Sequence, residues 1–207
     1  MKIGIIVDGD AEMEALKLLT ERLAIEGIQI LTPIYANMQP RASVGQIVRA
    51  AVDKLGILKN RQAARVIVLI DRENRTECTG DWAKQLEEAF QKLGHSQVCV
   101  VVKNRKFENW LISDVNVFKA LSKRYKITVS FKKAIIANKA DSVDDAEKLL
   151  NSIIIKNAYH KRRDAQKITS AQDIIIMAEN SRSFRRFLRL LDHPYYQDQS
   201  KLPYNKK

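Results

Sequence analysis

Residues 66–70 (VIVLI) constrain the fold of this chain most, because they form an unbroken apolar, mostly β-branched run that stops at Asp71. A run so short and so uniformly apolar predicts a central strand that is covered on both faces. The amino terminus repeats the pattern, since residues 3–7 (IGIIV) end at Asp8. In open parallel sheets, ligands bind at the carboxyl ends of the strands. The two runs therefore predict two buried strands that bring carboxylates to one edge of a sheet.

Strand-like and helix-like segments alternate up to residue 103. Apolar residues at helical spacing predict helices over 11–26, 43–55 and 79–93, and apolar runs predict further strands over 28–34 and 97–102. Such alternation with short links is typical of an α/β fold with a mostly parallel central sheet and helices on both faces. We therefore expect a Rossmann-like core over residues 1–103.

The second half of the chain has a different pattern. Helical spacing predicts helices over 107–121, 142–155, 170–178 and 181–191, with a short strand over 127–131 and a basic link over 157–164. The aromatic residues Phe107, Trp110 and Phe118 recur at helical spacing, which favours core positions over base stacking. We expect residues 104–192 to form a basic helical extension packed on the core, followed by a flexible tail over 193–207.

The positive charge of the chain is concentrated in its second half. The formal net charge is +12; residues 1–102 carry 13 Lys/Arg and 13 Asp/Glu, whereas residues 103–207 carry 23 and 11. A neutral, acid-bearing half beside a basic half suits a protein that acts on nucleic acid, although a basic surface can also serve solubility or an acidic protein partner. The candidate nucleic-acid-binding residues are Lys103, Arg105, Lys106, Lys161, Arg162, Arg163, Arg185, Arg186 and Arg189.

The composition indicates the class of protein and the cellular compartment to expect. The chain of 207 residues is 45% hydrophobic and 29% charged, as in ordinary globular proteins, and it has no apolar run near the roughly 20 residues that span a bilayer. Its two cysteines lack metal-ligand spacing, and three histidines without a clustered Cys/His pair argue against zinc. We expect a cytoplasmic protein without disulfides or membrane contact.

Four acids near the two strand ends are candidate metal ligands. Asp8 and Asp71 directly follow the apolar runs, Glu12 lies one helical turn after Asp8, and Glu73 lies two residues after Asp71. Glu12 could instead favour the helix dipole, and Glu73 could be a solvated turn acid paired with a nearby arginine. Clustered carboxylates prefer hard cations, so the pattern predicts Mg²⁺ or Mn²⁺. A pair of such ions about 3.5–4 Å apart activates phosphodiesters for hydrolysis.

Several short motifs together resemble the TOPRIM (topoisomerase–primase) domain. Residues 8–12 (DGDAE) are similar to the E-G-x-T-E motif that ends its first strand, and residues 71–73 (DRE) are similar to its D-x-D motif. Residues 108–114 (ENWLISD), 159–161 (YHK) and 181–188 resemble further motifs of small standalone bacterial members. The resemblance covers nearly the whole chain and extends to the nuclease domain of the OLD (overcoming lysogenisation defect) family.

The resemblance implies Mg²⁺-dependent hydrolysis of DNA or RNA. It also implies a place in a phage-defence system with an ATPase partner. It assigns catalysis to Asp8, Glu12, Asp71, Glu73 and Lys161, and it lets Glu108 join the metal ligands. The chain departs from the family pattern twice, because Asp8 replaces a glutamate and Glu73 replaces an aspartate. The oligomeric state does not follow from these motifs.

Two alternatives stay open at this point. The altered acids fit a non-catalytic nucleic-acid-binding or adaptor subunit that keeps a degenerate TOPRIM fold. Residues 8–10 (DGD) also resemble the nucleophile loop of haloacid-dehalogenase-like phosphatases, but Glu12 stands where those enzymes carry Thr or Val.

Overall fold

A parallel sheet forms the centre of the protein in this computed structural model, which describes residues 1–39, 41–136 and 139–196. Its spatial order is β2-β1-β4-β5, with β3 also paired to β1, and every pair is parallel. The strands are β1 (Lys2–Val7), β2 (Gln29–Ile30), β3 (Ile34–Tyr35), β4 (Arg65–Asp71) and β5 (Val98–Lys103). The prediction of an α/β fold with a parallel sheet is confirmed.

The strand expected over residues 28–34 is interrupted. β2 pairs with the first residues of β1 and β3 with its last residues, so both lie along the same edge of β1. Between them lies Pro33, which has no N–H to donate to the sheet. The proline thus divides one expected strand into two short ones.

Alternate side chains of the strands enter two hydrophobic layers. In β4, Ile67 and Leu69 join one layer, while Val68 and Ile70 join the other. The second layer is covered by α2 (Val44–Asn60) and α3 (Thr79–Lys92). The first layer is covered by α1 (Asp10–Glu21) and by the helices that follow β5. Both faces of the sheet are therefore buried, as the unbroken apolar runs predicted.

In the part of the chain that the structure describes, seven short α-helices follow β5 and share one hydrophobic cluster with β1 and α1. Trp110 is fully buried in this cluster, with its ring centroid 5.0 Å from that of Phe184 and 5.5 Å from that of Phe187. The core positions predicted for Phe107, Trp110 and Phe118 are confirmed. The helices are α4 (Phe107–Leu111), α5 (Val117–Ala120), α6 (Val129–Ala134), α7 (Ala146–Asn151), α8 (Lys161–Ala171), α9 (Ile174–Asn180) and α10 (Arg182–Leu190).

The single helix expected over residues 107–121 is broken in two. Buried Asp114 accepts hydrogen bonds from the backbone N–H groups of Asn116, at 2.9 Å, and Asp173, at 2.8 Å. A side chain that bonds the backbone in this way competes with the helical pattern. The carboxylate therefore ends one helix and also fixes the start of α9 to the core.

Side-chain caps also explain the other differences in this half. The strand expected over 127–131 is wrong, because Thr128 caps α6. The helix expected over 142–155 is shorter, because α7 is capped by Asp145 and ends at Asn151. The helix expected over 170–178 is replaced by α8 and α9, which is capped by Asp173. Ser181 caps the last helix, α10. Of the expected tail, residues 193–196 are described, with a 3₁₀ turn at Pro194–Tyr196, and the rest lies outside the described residues.

Two side chains cover the middle of strand β5 on the side away from β4. The Val100 N–H donates to Glu87 Oε1 at 2.7 Å, and Arg186 Nε donates to the Val100 carbonyl at 3.1 Å. Arg186 and Glu87 also form an ion pair of 3.3 Å. This contact attaches α10 and α3 to the same strand. None of the described helices is long and apolar enough to cross a membrane.

Candidate metal centre

Three of the predicted acids converge at the carboxyl edge of the sheet. Strands β1 and β4 are paired in parallel, so Asp8 and Asp71 emerge side by side, and Glu12 joins them from the first turn of α1. One carboxylate oxygen of each lies within 4.8 Å of the others. Asp8 Oδ2 also accepts a hydrogen bond from the Asp71 N–H at 2.7 Å. Local pairing of the strands therefore builds the acidic cluster.

Lys103 lies at the centre of this cluster. It is the last residue of β5, directly opposite Asp71 in the strand register, and its side chain is fully buried. Its Nζ lies 3.0 Å from Asp8 Oδ1, 2.5 Å from Glu12 Oε2 and 3.0 Å from Asp71 Oδ1. The expectation that Lys103 contacts nucleic acid at the surface is therefore wrong. In the sequence, Lys103 ends a predicted strand just as Asp71 does, and this position was the available signal that it lies at the same edge of the sheet.

The buried charges alter one another's proton affinity. Burial raises the pKa of Asp71 to about 7, because desolvation and the repulsion of Asp8 outweigh the attraction of Lys103. The pKa of Glu12 is raised well above its ordinary value, again chiefly by burial. Burial alone would lower the pKa of Lys103, but the three carboxylates outweigh it and raise that pKa. When all three acids are ionised, the cluster has more negative charge than one ammonium neutralises, and the raised pKa values of Glu12 and Asp71 favour uptake of protons.

The cluster opens into a cleft with a volume of about 140 Å³, lined in part by Glu73, Glu108 and Lys161. Glu73 and Glu108 do not belong to the group of described acids whose oxygens lie within 4.8 Å of one another. Lys161 begins α8, is 55% exposed, and lies 3.2 Å from Glu147 and 3.8 Å from Glu108. The structure therefore brings all five predicted catalytic residues to one cleft, with three of them in direct contact through Lys103.

Two loop residues beside the cleft, one after β4 and one after β5, have an uncommon backbone conformation. Glu73 has φ 52° and Arg105 has φ 83°, in the left-handed region that non-glycine residues rarely adopt. The Glu73 N–H donates to the Arg105 carbonyl at 2.8 Å, and the Arg72 N–H donates to the Lys103 carbonyl at 3.0 Å. These bonds continue the β4–β5 pairing beyond the strands and fix the direction of Glu73. Arg105 itself is held by Asp144 at 2.6 Å, so its guanidinium is already paired.

The donor atoms of the cluster suit a hard divalent cation. Asp8, Glu12 and Asp71 offer carboxylate oxygens, which Mg²⁺ and Mn²⁺ prefer. Glu12 Oε1 is buried and has no hydrogen-bond partner among the described residues. A buried oxygen without a partner is costly, and a cation would satisfy it. The residues therefore fit one such ion beside Lys103.

Two of the three arginines expected to face nucleic acid from α10 have other contacts. Arg185 is buried and donates to the carbonyls of Ala178 and Glu179 at the end of α9, so the expectation for it is wrong. Arg186 is half-buried against strand β5. Only Arg189 of the three is exposed.

The remaining predicted basic residues lie nearer the surface. Arg162 and Arg163 are exposed, and they pair with Asp10 and Asp164 respectively. Lys106 is half-buried. The structure leaves their proposed contact with nucleic acid as a prediction.

The fold and the site define an α/β protein with a parallel sheet and a lysine-centred acidic cluster at its carboxyl edge. Residues 7–192 match the family described as Domain of unknown function (DUF4276). The chain therefore belongs to the DUF4276 family. No curated protein and no solved structure matches it.

Proposed function

We propose that this protein is a metal-dependent nuclease that hydrolyses phosphodiester bonds of DNA or RNA with Mg²⁺ or Mn²⁺. The convergence of Asp8, Glu12 and Asp71 from two strand ends and a helix carries the proposal. Their shared cleft is open to solvent, and it also contains a lysine at its mouth. This arrangement of acids is the one implied by the TOPRIM resemblance, which stays part of the proposal.

Five residues of the cleft have defined roles in the proposed reaction. Asp8, Glu12 and Asp71 hold the ion, which when bound polarises a phosphoryl oxygen. Lys161 is exposed enough to reach a phosphate, and it stabilises negative charge that develops on it. Glu108, buried 3.8 Å from Lys161, keeps that ammonium directed towards the cleft.

Residues 115–140 support a polyanionic substrate. This stretch contains no Asp or Glu but has six lysines and one arginine. Its lysines are exposed, and none of them forms an ion pair among the described residues. Unpaired surface cations release counterions when they bind phosphates, which makes the affinity depend on salt. We therefore assign the main phosphate-binding surface to this stretch.

The nuclease activity can be tested with plasmid DNA and a structured RNA. We expect cleavage that requires Mn²⁺ or Mg²⁺, stops with a chelator and is abolished in Asp71→Ala. Asp53→Ala is the matched control, because Asp53 is exposed on α2. Cleavage that persists in Asp71→Ala or in excess chelator would refute the proposal.

The polyanion surface has its own test. Lys132→Glu/Lys133→Glu should weaken binding of a labelled DNA or RNA duplex and lower the salt slope by about 0.9 per lost phosphate contact in DNA. The control is Lys17→Glu/Lys59→Glu, which reverses two exposed lysines of the neutral half. Equal loss in both variants would show a net-charge effect in place of a defined surface.

Lys103 favours one second candidate, a nucleic-acid-binding or adaptor protein without catalysis. Its ammonium already neutralises part of the acidic cluster, as a structural ion pair would. This candidate predicts salt-sensitive binding that survives Asp71→Ala, with no cleavage at any metal concentration. The ATPase partner that the resemblance implies stays a prediction in both cases.

A further inference from the structure

We infer that Lys103 is a positioning residue that serves as a fixed cation of the metal centre, so that the acids hold one divalent ion and not a pair. The inference rests on the proposed metal-dependent function and deepens it. It replaces the pair of ions expected from the sequence with one ion and one ammonium. Three observations of the cluster support it.

The first observation is how the lysine divides the carboxylate oxygens. Its Nζ contacts a single oxygen of each acid, namely Asp8 Oδ1, Glu12 Oε2 and Asp71 Oδ1. The second oxygens have different environments. Glu12 Oε1 has no partner among the described residues, and Asp8 Oδ2 accepts one backbone hydrogen bond. Lys103 thus contacts one oxygen of each acid, and the buried Glu12 Oε1, which accepts no hydrogen bond among the described residues, is left for one added cation.

The second observation is the charge of the cluster. When all four groups are ionised, the three carboxylates and the ammonium, all within contact distance, have a formal charge of minus two. One divalent ion neutralises this charge, whereas two would leave an excess of positive charge around the buried Lys103. Uncompensated buried charge is strongly unfavourable. Neutrality therefore favours a single ion.

The third observation is that the protein itself supplies a cation to the clustered acids. Carboxylates within 4.8 Å of one another repel, and without a cation they would separate or take up protons. Lys103 reaches them from β5, a different strand from those that carry Asp8 and Asp71. It therefore links the ends of three neighbouring strands through its contacts with the acids.

The test counts bound Mn²⁺ and measures stability in the same full-length protein. We expect the wild type to bind one Mn²⁺, from the loss of the free-ion signal in electron paramagnetic resonance. In chelator, Lys103→Ala should lower the melting temperature by roughly 10 °C. Saturating Mn²⁺ should raise the melting temperature of Lys103→Ala by more than it raises that of the wild type, because the ion then replaces the missing charge. Lys59→Ala, at an exposed site on α2, should behave as the wild type does.

The outcomes separate this inference from the nuclease proposal. Two ions bound to the wild type would overturn the inference, even if cleavage is observed. One bound ion, together with the metal-dependent rescue of Lys103→Ala, would support it, even if no nucleic acid is cleaved. A wild type that binds no Mn²⁺ would overturn it, as would a Lys103→Ala protein that is as stable in chelator as the wild type. If Lys103→Ala does not fold, the Mn²⁺ count of the wild type still decides.

Discussion

Replacing Asp71 by asparagine should stabilise the metal-free protein while it removes the proposed activity. Asparagine keeps the shape of the side chain but cannot ionise. The pKa of Asp71 is about 7 in the folded protein, against an ordinary value of 3.8, and this balance already includes the attraction of Lys103. A raised carboxyl pKa means that the folded state binds more protons than the unfolded state in this range. Stability from this group is therefore present at low pH and is lost as the pH rises from about 4 to about 7.

The size of the effect follows from that shift. Three pKa units correspond to about 4 kcal/mol, which sets the upper limit for the wild type above pH 7. Because 19% of the Asp71 side chain is exposed, solvent reduces the cost, and we expect a gain of about 1–4 kcal/mol in Asp71→Asn at pH 8. At pH 5 the gain should be clearly smaller, since the wild-type carboxyl is then largely protonated in the folded state.

Urea unfolding in chelator at pH 8 and pH 5 measures both values. Asp53→Asn, at an exposed position, should change the free energy of unfolding by less than about 0.5 kcal/mol at either pH. Mn²⁺ at a hundred times its dissociation constant should stabilise the wild type by about 2.7 kcal/mol, and it should stabilise Asp71→Asn far less. If Asp71→Asn is less stable than the wild type at pH 8, the attraction between Asp71 and Lys103 exceeds the cost of burial, and the reasoning fails.

Three further predictions concern other parts of the molecule. Asp141→Ala should lower the free energy of unfolding by about 1–3 kcal/mol in urea titrations, because buried Asp141 accepts hydrogen bonds from the Ser183 N–H at 2.8 Å and hydroxyl at 3.0 Å. A loss below about 0.5 kcal/mol would contradict this. Lys161→Met should reduce the initial rate of cleavage by about 10²-fold or more, because Lys161 is exposed at the cleft. The melting temperature should change little. A large fall in melting temperature would indicate a structural role for Lys161. Gly4→Ala should lower the free energy of unfolding by about 1–3 kcal/mol in thermal unfolding, because its Cβ would lie 2.7 Å from Leu58 Cδ1. Adding Leu58→Val should relieve part of this loss. Additive losses in the double variant would show that the two residues do not clash.

The parts that could be predicted from sequence are those set by short-range pattern. Runs of apolar residues that end at Asp8 and Asp71 located the two central strands, and parallel pairing then brought their carboxylates together. Lys103 also ends a strand, but its burial could not be predicted in the same way. A lysine becomes buried only where acids from other elements surround it, and that depends on the tertiary structure.

The helices after residue 111 show the same limit. Their ends are decided by single side chains, such as Asp114, Thr128 and Asp145, that bond the backbone in competition with helical hydrogen bonds. Residues of these types are frequent in the sequence, and only the packed structure selects which of them act as caps. The helices predicted over 107–121 and 142–155 were therefore too long, and the basic link predicted over 157–164 was wrong, because α8 begins within it at Lys161.

The side chains that cover Val100 restrict the pairing of strand β5 with other molecules. A strand at the border of a sheet ordinarily exposes backbone groups that can recruit a strand from another molecule. Here Glu87 and Arg186 already satisfy the central outward-facing N–H and carbonyl of β5. An incoming strand would have to break both hydrogen bonds and the ion pair between these two residues. We therefore expect the β5 border not to take part in strand-mediated association and to be protected against amyloid-like growth.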